Sequence, residues 1–158
     1  MRKQIINQGT QGISPADNQG WLDVEHLVEV ELTSEDAEHP IEPALKMNTG
    51  SGWRAQQPGK QTIRLRFDKP RRIRRIQLAF QEDERERTQE FVLRWSPDGG
   101  ASYREIVRQQ YNFSPPGMSR ELEDYVVDLD GLTMLELSII PDISGEGARA
   151  SLAQLRLA

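Results

Sequence analysis

The sequence predicts an all-β chain folded as an antiparallel β-sandwich of the jelly-roll type, with about eight strands. Three observations carry this. Apolar and polar residues alternate with the period of a half-buried strand in segment after segment. Turn-forming residues stand between those segments. No stretch of about ten residues shows the apolar stripe of an amphipathic helix.

Taken in order, the first strand is Val28-Glu29-Val30-Glu31-Leu32, and Pro43 to Met47 supplies at most one helical turn. The strictest alternation is Ile63-Arg64-Leu65-Arg66-Phe67, which points arginines outward and apolar residues inward. It recurs in Ile76-Gln77-Leu78-Ala79-Phe80, with Ile73 out of phase, so a bulge is expected near Arg74 and Arg75. Phe91-Val92-Leu93-Arg94-Trp95 follows, then a weaker strand over 103–107, and then 125–129, 135–139 and 155–157. Turns are expected at Asp68-Lys69-Pro70, Pro97-Asp98-Gly99-Gly100 and Asp130-Gly131. The polar start reads as a lead-in over 1–20, followed by a single domain over 21–158.

With 158 residues the chain is the size of one domain, and 36 % apolar residues place it above the disordered range. It has no cysteine, which excludes a disulfide scaffold, a thiol nucleophile and a thiolate zinc site. The formal charge of -5 argues against a globally basic nucleic-acid binder. No apolar run reaches the roughly 18 residues of a membrane span, and no apolar segment follows Arg2 and Lys3 as in a signal peptide, so a cytoplasmic location is expected. Charge is segregated. Residues 12–45 hold nine acids and no Lys or Arg, whereas 54–87 hold eleven basic residues. The simplest reading is that the two stretches face one another.

Antiparallel strands reverse direction at each connection, so connections alternate between the two ends of the sandwich. Followed from Ile63, this gathers the short turns at one end and the long segments 34–59, 81–88, 109–118 and 141–147 at the other. The long-loop end then holds His39, Trp53, Arg54, the acidic and basic run 82–87, and Tyr111, Asn112 and Phe113. Rings with Arg, Asn and carboxylates suit a shallow polar ligand such as a sugar. Trp53 reads first as a cap on the core, and Tyr111 and Phe113 read equally as caps or as ligand contacts.

Catalytic chemistry finds little footing. There are two histidines, His26 and His39, and one histidine in a loop makes no metal site. Phosphate-loop, dinucleotide and nucleophile-elbow motifs are absent. Glu82, Glu84 and Glu86 are interleaved with arginines, as in solvated ion pairing. Ser96-Pro97-Asp98-Gly99-Gly100-Ala101-Ser102-Tyr103 resembles the Asp-box hairpin, in which a carboxylate closes onto its own turn; it occurs once and at the tight-turn end.

Four stretches, in order, resemble the discoidin or coagulation-factor type C (F5/8 type C) family of galactose-binding-like domains. They are Glu31-Leu32-Thr33-Ser34-Glu35 with Pro43-Ala44-Leu45; Gly52-Trp53-Arg54-Ala55 with the strand 61–67; Phe91-Val92-Leu93-Arg94-Trp95-Ser96-Pro97-Asp98-Gly99; and Leu135 to Pro141 followed by Ala150 to Leu155. The resemblance implies a galactose-binding-like jelly roll and a non-catalytic binding module for sugars, lipid head groups or proteins. In sugar-binding members the contacts come from loops at one end, which here offers Arg87, Asn112 and Phe113, with Tyr111, His39 and Trp53 nearby. The paired cysteines of secreted members are missing. Gln154 stands where some members carry an acidic residue linked to a structural calcium, which puts calcium in doubt; no cofactor is expected. The leading expectation is therefore a carbohydrate or similar small polar ligand. The alternative is an intracellular protein-interaction module in a larger complex. Nucleic-acid binding through Arg64, Arg66, Arg71, Arg72, Arg74 and Arg75 ranks below both, because no aromatic interleaves them.

Overall fold

A computed structural model describes residues 20–46 and 52–158. The polar lead-in up to residue 19, Met47 and residues 48–51 lie outside the described residues. Within them the elements run β1 (Val28–Leu32), α1 (Glu42–Leu45), β2 (Trp53–Pro58), β3 (Gln61–Gln81), β4 (Arg87–Ser96), β5 (Arg104–Phe113), β6 (Arg120–Ile140), β7 (Arg149–Leu152) and β8 (Gln154–Leu157). Every pairing is antiparallel. The main sheet has the order β1-β3-β6-β4-β5, with β8 also on β3, and β2 pairs with β7 alone.

The fold turns on two strands of 21 residues each, β3 and β6, paired along their whole length. The first half of β3 joins β1 and the second half of β6, which in turn joins β4. The second half of β3 joins β8 and the first half of β6. Between the halves the register slips three times, between Arg66 and Arg75. Bulges bend a strand and raise its twist, and here they carry the ribbon from one layer of the sandwich to the other. The layers meet inside: Phe80 of the second half of β3 packs on Phe91 of β4, ring centroids 5.2 Å apart.

Period-two alternation explains the core. Ile63 and Leu65 face inward beside Leu137 and Leu135, which face Leu93 and Trp95 across the next ladder. Burying each such side chain stabilises the fold by about 1.5–3 kcal/mol. The opposite face of the same rows is charged: Glu136 sits between Arg64 and Arg94 at 2.9 and 3.3 Å. The segregated charges do face one another, since Glu29 and Glu31 of β1 lie against Arg66 of β3 at 3.8 and 3.1 Å.

The expected turns at 68–70 and 130–131 are corrected. Neither reverses the chain; β3 and β6 run through both, and Gly131 takes the positive φ of 78° that the bend in β6 requires. The bulge expected near Arg74 and Arg75 belongs to this bend. Because the bend changes layer, strand direction still alternates between the ends of the sandwich. At one end Arg85 donates to the Gly147 carbonyl and the Glu82 N–H to Ser119. At the other the Gly99 N–H donates to the Thr133 hydroxyl, which donates to the Ser96 carbonyl. The last strand brings the domain's two flanks together: the Leu22 N–H donates to the Leu157 carbonyl at 2.7 Å, and Ala158 exchanges backbone bonds with Arg75.

Candidate functional site

β2 and β7 form a small separate ladder beside the end of β3. Trp53 anchors it: its ring is buried and its Nε1 donates to the Ser34 carbonyl at 3.1 Å. Gly52 permits the approach, since a Cβ there would collide with the Leu152 carbonyl. On the other edge of β2 the loop at 36–39 is clipped to Arg54 from both sides: the Asp36 N–H donates to the Arg54 carbonyl and the Arg54 N–H to the His39 carbonyl. The Arg54 main chain is thus fixed between that loop and Ser151 of β7.

These segments enclose one side of a cleft of about 550 Å³. His39 and Arg54 stand on that side; Gln81, Asp83 and Arg120 stand on the other; Ser151 and Gln154 lie along it. Gln81 links the far wall, donating Nε2 to Asp83 at 2.9 Å and accepting from Arg120 Nη1 at 3.2 Å. His39 Nδ1 lies 3.4 Å from Asp36 Oδ2. The Glu38 N–H, followed by His39 and Arg149, holds the Asp36 carboxyl below its usual value against the smaller opposing effect of its burial. The Arg54 guanidinium has no partner among the described residues. The cleft therefore presents donors, an acceptor carboxylate and a titratable imidazole on main chain held by ladders, an arrangement suited to a hydroxyl-rich ligand.

The structure divides the six expected site residues. His39 lines the cleft and is exposed; Trp53 lines it from beneath, as core. Arg87 and Phe113 are corrected: both are buried, so neither presents a surface to a ligand. Phe113 pairs with Arg87 in the β4–β5 register, and the guanidinium lies 4.7 Å over its ring. Tyr111 is half-buried, edge-on to Phe113, and donates its hydroxyl to the Arg120 carbonyl. Asn112 is exposed and accepts from the Thr88 hydroxyl outside the cleft.

Of the run 82–87, only Glu82 and Arg87 depart from the expected solvated pairing, being buried, while residues 83–86 are exposed. Arg87 donates to Glu82 at 2.7 Å, to the Pro141 carbonyl at 2.8 Å and to Gln89, all inside the fold. Burial alone would raise the Glu82 carboxyl, but the Arg87 bond and the N–H groups of Glu84 and Arg85 carry it below its usual value. Gln89 continues the chain to Glu121, whose carboxyl is raised by burial and by the neighbouring Glu123. Arg120 and Ser151 escaped the sequence reading: Arg120 opens β6 ahead of its expected strand, and β7, which carries Ser151, is four residues long and shows no period. The one usable signal was Gly52 beside Trp53, a close-approach glycine next to an anchor ring.

Gln154, the position the resemblance links to calcium in some members, lies at the cleft. Its neutral amide donates to the Lys46 carbonyl at 2.6 Å, and the described residues contain no cluster of three metal-ligating side chains. The arginine stripe is largely neutralised: Arg64, Arg66, Arg72 and Arg75 each meet a carboxylate at 2.6–3.1 Å. No helix among the described residues is long and apolar enough to cross a membrane.

The profile of the F5/8 type C domain matches residues 29–130. No curated protein sequence matches the chain. Among solved structures it is similar to the family 32 carbohydrate-binding module of C. perfringens NanJ in complex with galactose, with TM-score 0.65 and 13 % identity over 85 % of this chain and 96 % of that one. It is also similar to CpGH89CBM32-5 from Clostridium perfringens in complex with GalNAc-beta-1,3-galactose, with TM-score 0.66 and 17 % identity over 87 % and 99 %. A chain in the structure of reduced XRCC1 bound to the DNA pol beta catalytic domain is similar at TM-score 0.56 and 16 % identity, over 84 % and 96 %. At these identities the likeness is one of fold, the galactose-binding-like sandwich.

Proposed function

The chain belongs to the F5/8 type C domain family, and from that premise we propose that it is a non-catalytic carbohydrate-binding module whose ligand lies in the cleft between His39, Arg54, Asp83, Arg120 and Gln154. The observation that carries this reading is the cleft itself: a concave, polar surface at the long-loop end, on a fold also found in modules solved with galactose and with GalNAc-beta-1,3-galactose. Sugar hydroxyls both donate and accept. Asp83 accepts from them, Arg54 and Arg120 donate, and the His39 ring does either according to tautomer. Each such bond replaces one to water, so its net worth is about 0.5–1.5 kcal/mol and binding is modest. The fixed ladders beneath keep the ordering cost low.

Glycan-array binding followed by calorimetry on the hits tests this reading. His39→Ala and Asp83→Asn should each abolish or strongly weaken binding, while Asn112→Ala, outside the cleft, should leave it unchanged. Loss in Asn112→Ala with retention in the other two would move the site to the end of β5 around Asn112, and absence of any glycan hit would sink the reading.

A second reading, a protein-interaction module, is favoured by a different surface. Val126 is 90 % and Leu122 58 % exposed on the first half of β6, whose free edge pairs with no strand among the described residues. Exposed apolar residues on a free strand edge suit strand addition by a partner. Co-purification lost on Leu122→Lys would support it.

A further inference from the structure

Resting on the strand-addition reading above, we propose that the free edge of β6 pairs with the same edge of a second copy of this chain, about a two-fold axis at Asp124. Of the four large apolar side chains exposed among the described residues, Leu122 and Val126 stand on this edge. The outer strand of the other layer, β5, carries none.

The main chain there is open. The Glu82 N–H donates to the Ser119 carbonyl, which starts the ladder between β3 and β6. Along an antiparallel ladder one residue turns both its N–H and its carbonyl to the partner, and the next turns both away. Glu121, Glu123 and Tyr125 therefore bond to β3, while Leu122, Asp124 and Val126 turn theirs to the open side. The Arg120 carbonyl has the same outward sense and accepts from the Tyr111 hydroxyl at 2.9 Å. No other strand among the described residues pairs on that side.

The side chains of the outward row match themselves when the strand is reversed. Arg120, Leu122, Asp124, Val126 and Asp128 are all exposed. An isologous pairing about Asp124 sets Leu122 opposite Val126 of the second copy and Arg120 opposite its Asp128, each twice. Arg120 holds no carboxylate in its own chain and bonds through its side chain to Gln81. Asp128 takes two bonds from Arg72 and has lone pairs to spare. The one like-charge meeting is Asp124 with its own copy, and Arg75 already holds each Asp124 by two bonds, at 2.9 and 2.6 Å. Neighbouring registers lack this fit. An axis at Glu123 or Tyr125 sets Leu122 against Asp124 or Asp128. An axis at Leu122 sets Val126 against Met118, whose N–H and carbonyl are both spent on Ser114. Pattern and hydrogen bonding thus select one register.

The experiment is sedimentation equilibrium of the full chain from about 1 μM to about 1 mM. The wild type should pass from monomer to dimer as concentration rises. Leu122→Lys and Val126→Lys should each weaken the dimer at least about tenfold, because the two-fold axis makes each change count twice. Circular dichroism checks that the variants fold. Cross-linking reads the register, and decides the matter if a Lys variant fails to fold. The chain has no cysteine, so Leu122→Cys and Val126→Cys each supply its single thiol. Mixed and mildly oxidised, the two should give a disulfide-linked dimer, since paired residues stand about 5.5 Å apart at Cα. Either variant alone should cross-link at least about tenfold less. A wild type that stays monomeric throughout overturns the proposal and leaves strand addition by a different protein standing. A dimer that survives both Lys variants overturns the edge contact. Cross-linking of Leu122→Cys with itself, and not with Val126→Cys, overturns the axis at Asp124.

Discussion

Arg87 and Glu121 sit on one buried chain of side chains and meet opposite electrostatic fates. Arg87 has Glu82 for a partner, so the pair stays ionised, whereas Glu121 faces Glu123 and low-dielectric surroundings and holds its proton. The sign follows from the direction of the shift. An unfolded Glu loses its proton at the ordinary carboxylate value, about 4.3, while the folded one keeps it well above that. Between the two values the folded state binds the extra proton, so this group makes stability fall as pH rises, by at most about 1.4 kcal/mol per pH unit. Glu121→Gln should therefore raise the melting temperature at pH 8, leave it little changed at pH 4, and flatten the profile between; a steeper profile in the variant would refute this. Arg87→Ala leaves the Glu82 carboxylate buried without its cation and should cost about 3–5 kcal/mol in urea unfolding. Part of this was legible in the sequence. Tyr111 and Phe113 share a strand face, and Phe113 falls opposite Arg87, but an aromatic in phase with the interior looks the same whether the interior ends above it or below it.

Among the elements, the turn over 96–102 shows how a motif and a site come apart. The Asp98 carboxyl accepts from the Ser102 N–H and hydroxyl and from Ser96, and those bonds hold it down at about 2. The geometry is that of the Asp-box hairpin the sequence resembled. It stands with Thr133 at the end of the sandwich away from the cleft. Asp98→Ala should lower the melting temperature and leave sugar affinity unchanged, so any loss of affinity would show that the two ends communicate. Alternation disclosed the long strands because each presents one face to the core over many residues. It was silent on β2 and β7, which are too short or too polar for a period, and these carry Trp53, Arg54, Ser151 and Leu152 of the cleft. It also misread Asp68-Lys69-Pro70 and Asp130-Gly131, because the residues that make a tight turn are those that let a long strand bend through a bulge.

At the scale of the whole molecule, the class, the family resemblance and the opposition of acidic and basic stretches could all be read from residue order, since each is a pattern repeated over many positions. The cleft could not, because it arises where three short segments distant in sequence converge on the end of β3. Ligand should bind the folded state alone, so a saturating sugar at about 100 times its Kd should add about 2.7 kcal/mol to unfolding, read as a concentration-dependent rise in melting temperature. The bond between Leu22 and Leu157 carries one more consequence. The polypeptide enters and leaves through neighbouring points near Arg75, while Gln154 at the cleft lies about 10 Å away along β8. A label fixed at Leu22 and another at Leu157 would therefore report on the same corner of the sandwich, and their separation would widen as soon as β8 peeled from β3.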